Sequence, residues 1–463
     1  MGTLEPNHPS SIQDLKVTIH SSSLISPSRQ SSQTPKPIFL SNIDKVLNFN
    51  VQTVHFFPPN PEFPLEVVAA RLKKAIEKLV MVPYDFLAGK LILNHQSGRP
   101  EIECNGPGVG FVVASADITM EEIGDLVYPN PAYRELIIQR LDDVEGDQPL
   151  CIFQVTSFKC GGFVLGTSAN HMLFDGMSFK HFLENLASQA FEDKPLATVP
   201  CNDRRLLAAR SPPQVTFPHP ELLKLKLPIG EELANLEFQA EQEDLEFKIM
   251  NLSPDDVSFL KEKAKTSIGT EMIRTGTLET PKITSFNVVA THIWRCKALS
   301  RDVENNADRL STILFSVDIR SRLRPPLPLS YSGNAVLPAY ASAKCSELEH
   351  EPFSKLVAMV SEGASRMNND YARSSIDWGE IYRGFPDGEF LISSWWKLGF
   401  DEVVYPWGKS SYGCPVVYHR KDIILLFPEI AGASSANNGV NVLVALPPKE
   451  LEKFQSLFHK FLK

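Results

Sequence analysis

The sequence predicts a mixed α/β protein built from two domains. Strand-like and helix-like segments alternate along the chain. With 463 residues, of which 43% are hydrophobic, the chain is long enough for more than one buried core. A proline-rich stretch without periodicity, residues 195–228, separates two regions of regular patterning. We therefore predict an N-terminal domain over residues 1–194, a linker over residues 195–228, and a C-terminal domain over residues 229–463.

The N-terminal region opens with a strand that is followed by a helix. Residues 51–57 alternate in a way that places Thr53 and His55 on one face of the strand. Residues 65–80 then repeat apolar side chains at helical spacing. Residues 106–110 contain the glycines and proline of a turn between strands, and they match neither a dinucleotide-binding loop nor a phosphate-binding loop.

A hairpin is predicted immediately before a histidine. Residues 149–168 contain two strand-like runs joined at Gly161 and Gly162, which is typical of a tight turn. The second run leads directly to His171. After Gly176 a helix is predicted, with one apolar face made of Phe179, Phe182, Leu183 and Leu186. His171 is therefore expected in a loop between a strand and a helix.

The C-terminal region begins and ends with clear helix signals. Ser253 is a predicted N-cap, Pro254 occupies the first turn, and two aspartates follow, so we expect a helix that runs to Ala264. The chain closes with a strand at residues 440–446 and a final helix. The apolar side of that helix is predicted to comprise Leu451, Phe454, Leu457, Phe458 and Phe461.

Charge and cysteine content exclude several classes of protein. The net charge of -9 argues against nucleic acid or an anionic membrane as the main partner, because both require a basic face. The seven cysteines form no CxxC pair and no Cys/His cluster at metal spacing, so we expect free thiols and no metal site. The first residues lack the pattern of a signal peptide, and no apolar run approaches the roughly 18 residues of a membrane span. We expect a cytoplasmic protein.

The segment around His171 carries the strongest chemical signal. His171 and Asp175 form an HxxxD pattern that is followed by Gly176. Histidine titrates near neutral pH and can take the proton of an attacking alcohol, while a nearby carboxylate can fix the loop. The spacing alone is equally compatible with an ordinary histidine in a turn. The absence of a GxSxG segment argues against a serine-nucleophile hydrolase, and no HExxH or EF-hand pattern occurs.

Several segments, taken in order, resemble the BAHD acyltransferases, a plant family that transfers acyl groups from coenzyme A thioesters. The segment TSANHMLFDGMSFKHFL is similar to the family's HxxxDG segment. The other similar segments are 40–44 (LSNID), 84–91 (YDFLAGKL), 160–162 (CGG), 286–295 (FNVVATHIWR), 318–322 (DIRSR), 331–334 (YSGN) and 404–408 (VYPWG), the last standing where the family has DFGWG. The resemblance extends from about Leu40 to the C terminus.

The resemblance implies two chloramphenicol-acetyltransferase-like α/β domains, joined by a crossover segment and separated by a solvent channel. It implies that His171 is the general base, which deprotonates an acceptor as the acceptor attacks the thioester in a ternary complex. Asp175 would hold the loop through an ion pair, and Trp407 would mainly maintain structure. Acyl-CoA would be a co-substrate, no cofactor would be bound permanently, and a monomer is expected.

The sequence departs from the family pattern in the VYPWG segment. Val404 stands where the family has an aspartate, and Pro406 replaces its first glycine. The family's aspartate is thought to pair with an arginine, so Arg320 or Arg322 would need another partner here. Trp407 and Gly408 of this segment are retained. The departure therefore concerns local packing more than chemistry.

Two further sets of residues are weaker candidates. Thr53 and His55 align with a family strand that contributes to the acceptor pocket, although a plain strand with polar residues on one face fits equally well. Lys261 and Lys409 are candidates for contacts with the phosphates of coenzyme A. Alternating Lys and Glu on a helix also fits a solvent-exposed face.

The sequence leaves three functions open. The leading one is transfer of an acyl group to a hydroxyl of a plant metabolite. N-acylation of an amine uses the same base and differs only in the acceptor pocket. Some members of the family are thought to act as noncatalytic partners in wax-chain elongation. Intact His171 and Asp175 favour catalysis. Neither the acyl donor nor the acceptor is evident from the residues.

Overall fold

The computed structural model describes residues 15–26, 37–127, 130–142, 144, 146–191, 193–225, 244–275, 282–301, 306–416, 420–429 and 439–463, with the backbone alone for 266–275. The chain divides into two compact units, which are described separately below. Unit 1 comprises Met1–Ala208, Pro328–Asn334 and Leu398–Tyr418, and unit 2 comprises Ala209–Leu327, Ala335–Lys397 and His419–Lys463. The end of the predicted linker, residues 226–228, lies outside the described residues, as does the start of the predicted C-terminal domain.

The strands of the described residues, in chain order, are β1 (Val17–Ile25), β2 (Ile38–Phe39), β3 (Asn50–Phe57), β4 (Lys90–Asn94), β5 (Arg99–Glu103), β6 (Val109–Ala116), β7 (Cys151–Ser157), β8 (Phe163–Asn170), β9 (Leu222–Lys224), β10 (Glu246–Leu252), β11 (Leu310–Asp318), β12 (Val336–Lys344), β13 (Gly384–Pro386), β14 (Phe390–Ser394), β15 (Val404–Tyr405), β16 (Gly408–Lys409), β17 (Tyr412–Pro415), β18 (Ile423–Pro428) and β19 (Val440–Leu446).

The α-helices of the described residues are α1 (Leu65–Met81), α2 (Met120–Ile123), α3 (Gly176–Ala190), α4 (Pro254–Thr275), α5 (Ser285–Ser300), α6 (Cys345–His350), α7 (Phe353–Arg366), α8 (Asn369–Ile381) and α9 (Pro448–Lys460). None of them is both long enough and apolar enough to cross a lipid bilayer.

Unit 1 is built on a six-stranded sheet with the strand order β1-β6-β7-β8-β3-β17. Neighbouring strands are antiparallel except for the parallel pair β6 and β7. In the pair β3 and β8, Asn50 lies opposite Asn170 and Phe57 lies opposite Phe163. One end of this pair therefore leads to the loop of His171, and the other end carries two phenylalanines.

The sequence around β8 explains its central position. Every residue of β8 is buried, as expected for a strand with a neighbour on each side and cover on both faces. Helix α3 follows after a short loop and packs against α1. The predicted apolar face of α3 is buried, with Phe182 stacked at 5.9 Å on Phe153 of β7. The predicted strand, hairpin and helix that frame His171 are confirmed.

Unit 2 contains a second six-stranded sheet, with the strand order β10-β19-β18-β14-β11-β12. Strands β11, β14 and β18 run parallel, and the other pairs are antiparallel. The buried ring of Trp294 on α5 donates a hydrogen bond to Ser311 Oγ of β11 at 2.9 Å. Helix α9 buries Leu451, Phe454 and Phe458, so its predicted apolar side is confirmed at these positions.

The prediction for α4 needs correction, and the structure adds detail to the proline-rich stretch. Helix α4 begins as predicted, with the Ser253 hydroxyl accepting a hydrogen bond from Asp256 N at 3.1 Å, but it continues past Ala264 to Thr275. A glycine inside a helix costs only about 1 kcal/mol, so Gly269 does not end it. The sequence predicts the proline-rich stretch only as a linker without periodicity. It contains a 3-10 turn at Arg204–Leu207 and strand β9, which pairs with β13.

Candidate active site

His171 is the first residue after β8 and is half-buried. Its backbone N–H donates to the carbonyl oxygen of Phe49 at 2.8 Å, which extends the pairing of β8 with β3 by one bond. The imidazole meets the ring of Phe49 edge-on, with the ring centroids 5.3 Å apart. The next turn is closed by Asn170, whose side-chain oxygen accepts from Met172 N at 3.0 Å. Backbone bonds therefore fix the position of the histidine.

The carbonyl oxygens of the loop point at two buried side chains. Arg204 donates to the carbonyl of Met172 at 2.5 Å and to that of Leu173 at 2.8 Å. Asn334 Nδ2 donates to the carbonyl of His171 at 2.8 Å. Backbone carbonyls that are buried need such donors, because an unpaired polar group away from water costs free energy. Arg204 and Asn334 therefore stabilise this particular loop conformation.

A third buried residue, Asp44, joins these two donors. Its Oδ1 atom lies 3.2 Å from Arg204 Nη1 and accepts hydrogen bonds from the side chain of Asn334 at 2.9 Å and from its backbone N–H at 3.0 Å. Its Oδ2 atom accepts from the hydroxyl of Ser41 at 2.7 Å. The side chains of Asp44 and Arg204 have no exposure to solvent. We call Asp44, Arg204 and Asn334 the loop-anchoring network.

Asp175 lies at the other end of the loop and begins α3. Its carboxylate accepts from the backbone N–H of Ser178 at 2.9 Å, which is the bond of an N-cap, and the Ser178 hydroxyl also donates to Gly333 O at 3.1 Å. A Cβ on Gly176 would lie 2.7 Å from Leu398 Cδ1, so a larger residue at this position would displace the side chain of Leu398.

The electrostatic setting keeps His171 neutral. Burial lowers the pKa of His171 below its ordinary value, because the imidazolium form loses hydration. The charges of Asp175 and Asp44 and the side chain of Asn334 act in the opposite direction on the same pKa. The Nδ1 atom of His171 is buried and, across the described part of the chain, has no hydrogen-bond partner. A neutral imidazole at pH 7 can accept a proton.

Thr53 and His55 both lie on β3 and are buried. Burial lowers the pKa of His55 to about 4, so this side chain is uncharged at neutral pH. Thr53 Oγ1, His55 Nε2 and the Oγ1 of Thr167, which lies opposite Thr53 on β8, have no hydrogen-bond partners within the ranges the structure describes. Buried polar atoms without partners are unusual in folded proteins and point to a place where a polar ligand group could bind.

The VYPWG segment lies at the other end of the β3 and β8 pair. Trp407 stacks on Tyr405 at 5.2 Å and contacts the rings of Phe57 and Phe163 edge-on. The ends of β8 are about 23 Å apart, at ~3.3 Å per residue, so the structure does not bring Trp407 to His171. Gly408 has φ 113°, which favours glycine, and it ends the tight turn that joins β15 to β16.

The replacement of the family's aspartate leaves partners for both arginines. Arg320 Nη1 lies 3.1 Å from Asp318 Oδ2. Arg322 donates to the backbone carbonyls of Ala364 and Met367. Val404 itself is 52% exposed on β15. Both arginines therefore have partners in this protein although valine has replaced the family's aspartate.

The two lysine candidates lie in different units. Lys261 is half-exposed on α4 in unit 2, and Lys409 is exposed on β16 in unit 1. Close to Lys261 in sequence, Lys265 pairs with Glu262 at 2.6 Å. No group of three or more His, Cys, Asp or Glu side chains among the described residues could hold a metal ion.

Sequence reasoning missed the roles of Arg204, Asn334 and Phe49. Asn334 and Asp44 fall in the YSGN and LSNID segments, so the resemblance marked their positions without giving a reason for them. Arg204 stands in the proline-rich stretch, where no periodic pattern distinguishes a buried side chain from an exposed one. Phe49 precedes a strand and reads as an ordinary apolar residue.

Residues 15–461 match a protein family described as the Transferase family. The chain is 56% identical to Acyltransferase GLAUCE of Arabidopsis thaliana, covering 97% of both chains. It is 31% identical to the Arabidopsis thaliana Omega-hydroxypalmitate O-feruloyl transferase, covering 92% of this chain and 90% of that one. It is 32% identical to the Fatty alcohol:caffeoyl-CoA acyltransferase of the same plant, covering 96% and 98%.

Two solved structures are similar over nearly the whole chain. Vinorine Synthase superposes with a TM-score of 0.69 at 20% identity, covering 96% of this chain and 98% of that one. F. sporotrichioides TRI101, complexed with Coenzyme A and T-2, has a TM-score of 0.69 at 15% identity, covering 90% and 96%. These likenesses confirm the predicted α/β fold class.

Proposed function

Because the chain belongs to the BAHD family of acyl-CoA-dependent acyltransferases, we propose that it transfers an acyl group from an acyl-CoA thioester to an acceptor hydroxyl with His171 as the general base. The observation that carries the proposal is the setting of His171. It is a half-buried, neutral histidine in a loop whose carbonyl oxygens are fixed by buried donors. A base whose backbone is fixed in this way keeps its position relative to a bound acceptor.

The proposed reaction is a direct transfer. The neutral imidazole of His171 takes the proton of the acceptor hydroxyl while the acceptor oxygen forms a bond to the thioester carbonyl carbon. The tetrahedral intermediate collapses as the carbon–sulfur bond breaks, and the coenzyme A thiolate leaves and takes the proton back from the imidazolium. No residue is acylated, so both substrates must be bound together.

The loop-anchoring network would act through His171. Asn334 restrains the carbonyl oxygen of His171, Arg204 restrains those of the two residues that follow it, and Asp44 restrains both donors. Asp175 would contribute by starting α3 at the end of the loop. Trp407 and Gly408 would support the far end of the same strands, where they do not touch the reacting atoms.

We propose a hydroxycinnamoyl-type donor. The relatives include feruloyl, caffeoyl-CoA and hydroxycinnamoyl transferases, whose acceptors range from a hydroxy fatty acid to shikimate. Thr53, His55 and Thr167 would bind uncharged polar groups of a substrate, because their buried polar atoms have no partners in the described part of the chain. Lys261 and Lys409 remain candidates for the phosphates of coenzyme A.

N-acylation is the second candidate function. A relative 29% identical to this chain is named Putrescine hydroxycinnamoyltransferase 1, so an amine acceptor is compatible with a related sequence. His171 would act as the same base, taking a proton from the neutral amine as its nitrogen bonds to the thioester carbonyl carbon. We further propose a cytoplasmic monomer in which residues 195–228 form the crossover between domains 1–194 and 229–463.

The test is mass spectrometry of purified protein incubated with a panel of acyl-CoA donors and a mixed pool of alcohols and amines. His171→Ala is assayed beside it, and His350→Ala serves as a control because His350 is exposed in unit 2. We expect ester products that disappear in His171→Ala and persist in His350→Ala. Amide products alone would favour the second function, and equal turnover by both variants would refute His171 as the base.

A further inference from the structure

Phe49 is firmly fixed and yet remains open to solvent. Its carbonyl oxygen accepts the N–H of His171 at 2.8 Å, and its own N–H donates to the carbonyl of Leu47 at 2.8 Å. The preceding residue, Asn48, accepts from the side chain of Asn170 at 2.9 Å. Despite these restraints, 52% of Phe49 is exposed. An exposed aromatic ring that is held next to the proposed base is available to pack against a bound substrate.

The exposed ring lies beside the reacting atoms of the proposed transfer. The Phe49 and His171 rings meet edge-on with centroids 5.3 Å apart. A general base must approach the acceptor oxygen to about 3 Å, and that oxygen attacks the thioester carbonyl directly. The acyl group next to this carbonyl would then lie close to the Phe49 ring, on the part of the ring that the imidazole does not cover.

The exposed residues on either side of Phe49 in the sequence, Asn48 and Asn50, are uncharged. Val46, three residues earlier, is 42% exposed, and the acidic side chain nearest in sequence, Asp44, is buried in the loop-anchoring network. An aromatic ring in such a place packs well against a planar conjugated group, and aromatic pairs contribute beyond their buried area. Among the relatives whose names give an acyl group, the acceptors differ while the acyl groups are feruloyl, caffeoyl or hydroxycinnamoyl, so a planar acyl group is what these relatives share.

We propose that Phe49 is a specificity-determining residue, which packs its exposed face against a planar, conjugated acyl group and fixes the thioester carbonyl next to His171. This inference rests on the proposed function. It adds that the donor preference is set in the segment before β3.

The experiment compares two donors that have the same number of carbon atoms in the acyl group. Cinnamoyl-CoA is planar and aromatic, and 3-cyclohexylpropanoyl-CoA is neither. We expect Phe49→Leu to lower the ratio of kcat/KM for cinnamoyl-CoA to that for 3-cyclohexylpropanoyl-CoA by about fivefold. Phe49→Tyr should keep the ratio within about twofold of wild type, since tyrosine retains the aromatic face. Phe259→Leu is the matched control, because Phe259 is also half-exposed, on α4 of unit 2.

The ratio of kcat/KM for the two donors distinguishes a specificity role of Phe49 from a merely structural role. A general disturbance of the loop would lower both rates together, so an unchanged ratio in Phe49→Leu would overturn the inference. If that happens while product formation still depends on His171, only the inference fails and the proposed function stands. A wild-type protein that transfers no cinnamoyl group would also overturn the inference, whereas activity that survives in His171→Ala would count against the proposed function itself.

Discussion

The two ends of the β3 and β8 pair are built from different chemistry. At the end that carries Asn170, the chain is fixed by a buried ion pair and by side chains that donate hydrogen bonds to backbone carbonyls. At the end that carries Phe163, the chain is fixed by packed aromatic rings, with Trp407 at the centre. Hydrogen bonds have preferred directions and can set the orientation of a loop to within narrow limits, while apolar packing is less directional. We therefore expect the catalytic chemistry at the end that carries Asn170 and a supporting role at the end that carries Phe163.

The largest stability effect is expected for Asp44→Asn. The change leaves the buried guanidinium of Arg204 without its counter-charge, and breaking a buried ion pair costs about 3–5 kcal/mol. Chemical denaturation should show this loss of unfolding free energy together with a fall in kcat. Asp401→Asn, at an exposed position, is the matched control and should change neither.

A double variant sharpens that result. Arg204→Met in the Asp44→Asn background removes the unpaired charge, so the two changes should be coupled by more than about 1 kcal/mol. Simple addition of the two single effects would mean that the ion pair does not act as a unit. It would also weaken the description of this end as a connected network.

Asp175→Ala should have a smaller effect, because the change removes an N-cap. We expect a loss of about 2 kcal/mol in unfolding free energy, accompanied by lower activity. Asp175→Ser supplies another capping side chain and should recover most of the stability. A fully stable but inactive Asp175→Ala variant would instead show that the carboxylate acts in the chemistry.

The smallest effect is expected at the aromatic end. Trp407→Phe removes an indole N–H that has no hydrogen-bond partner among the described residues and keeps an aromatic ring in the cluster. Stability should fall by about 1 kcal/mol, and kcat should stay within about twofold of wild type. A drop in kcat of a hundredfold in a folded Trp407→Phe variant would place this indole in the reaction and remove the contrast between the two ends.

The sequence predicted the elements around His171 because their signals are local. The hairpin at Gly161 and Gly162 and the apolar face of α3 depend on residues that are close together in the chain. The loop-anchoring network is not local, since Asp44, Arg204 and Asn334 come from three distant segments. Only the fold brings them together, so a single sequence can mark these residues through a resemblance but cannot give their contacts.

The pH dependence of acyl transfer tests the central claim most directly. Single-turnover rates are measured from pH 5 to 8 in wild type and in His171→Ala. Burial lowers the pKa of His171 from 6.5, so the wild-type rate should rise with pH to a plateau with a midpoint below 6.5 as the imidazolium loses its proton. The residual rate of His171→Ala should be lower by about 10²–10⁴-fold and lack this titration. The same titration in His171→Ala would show that another group is the base.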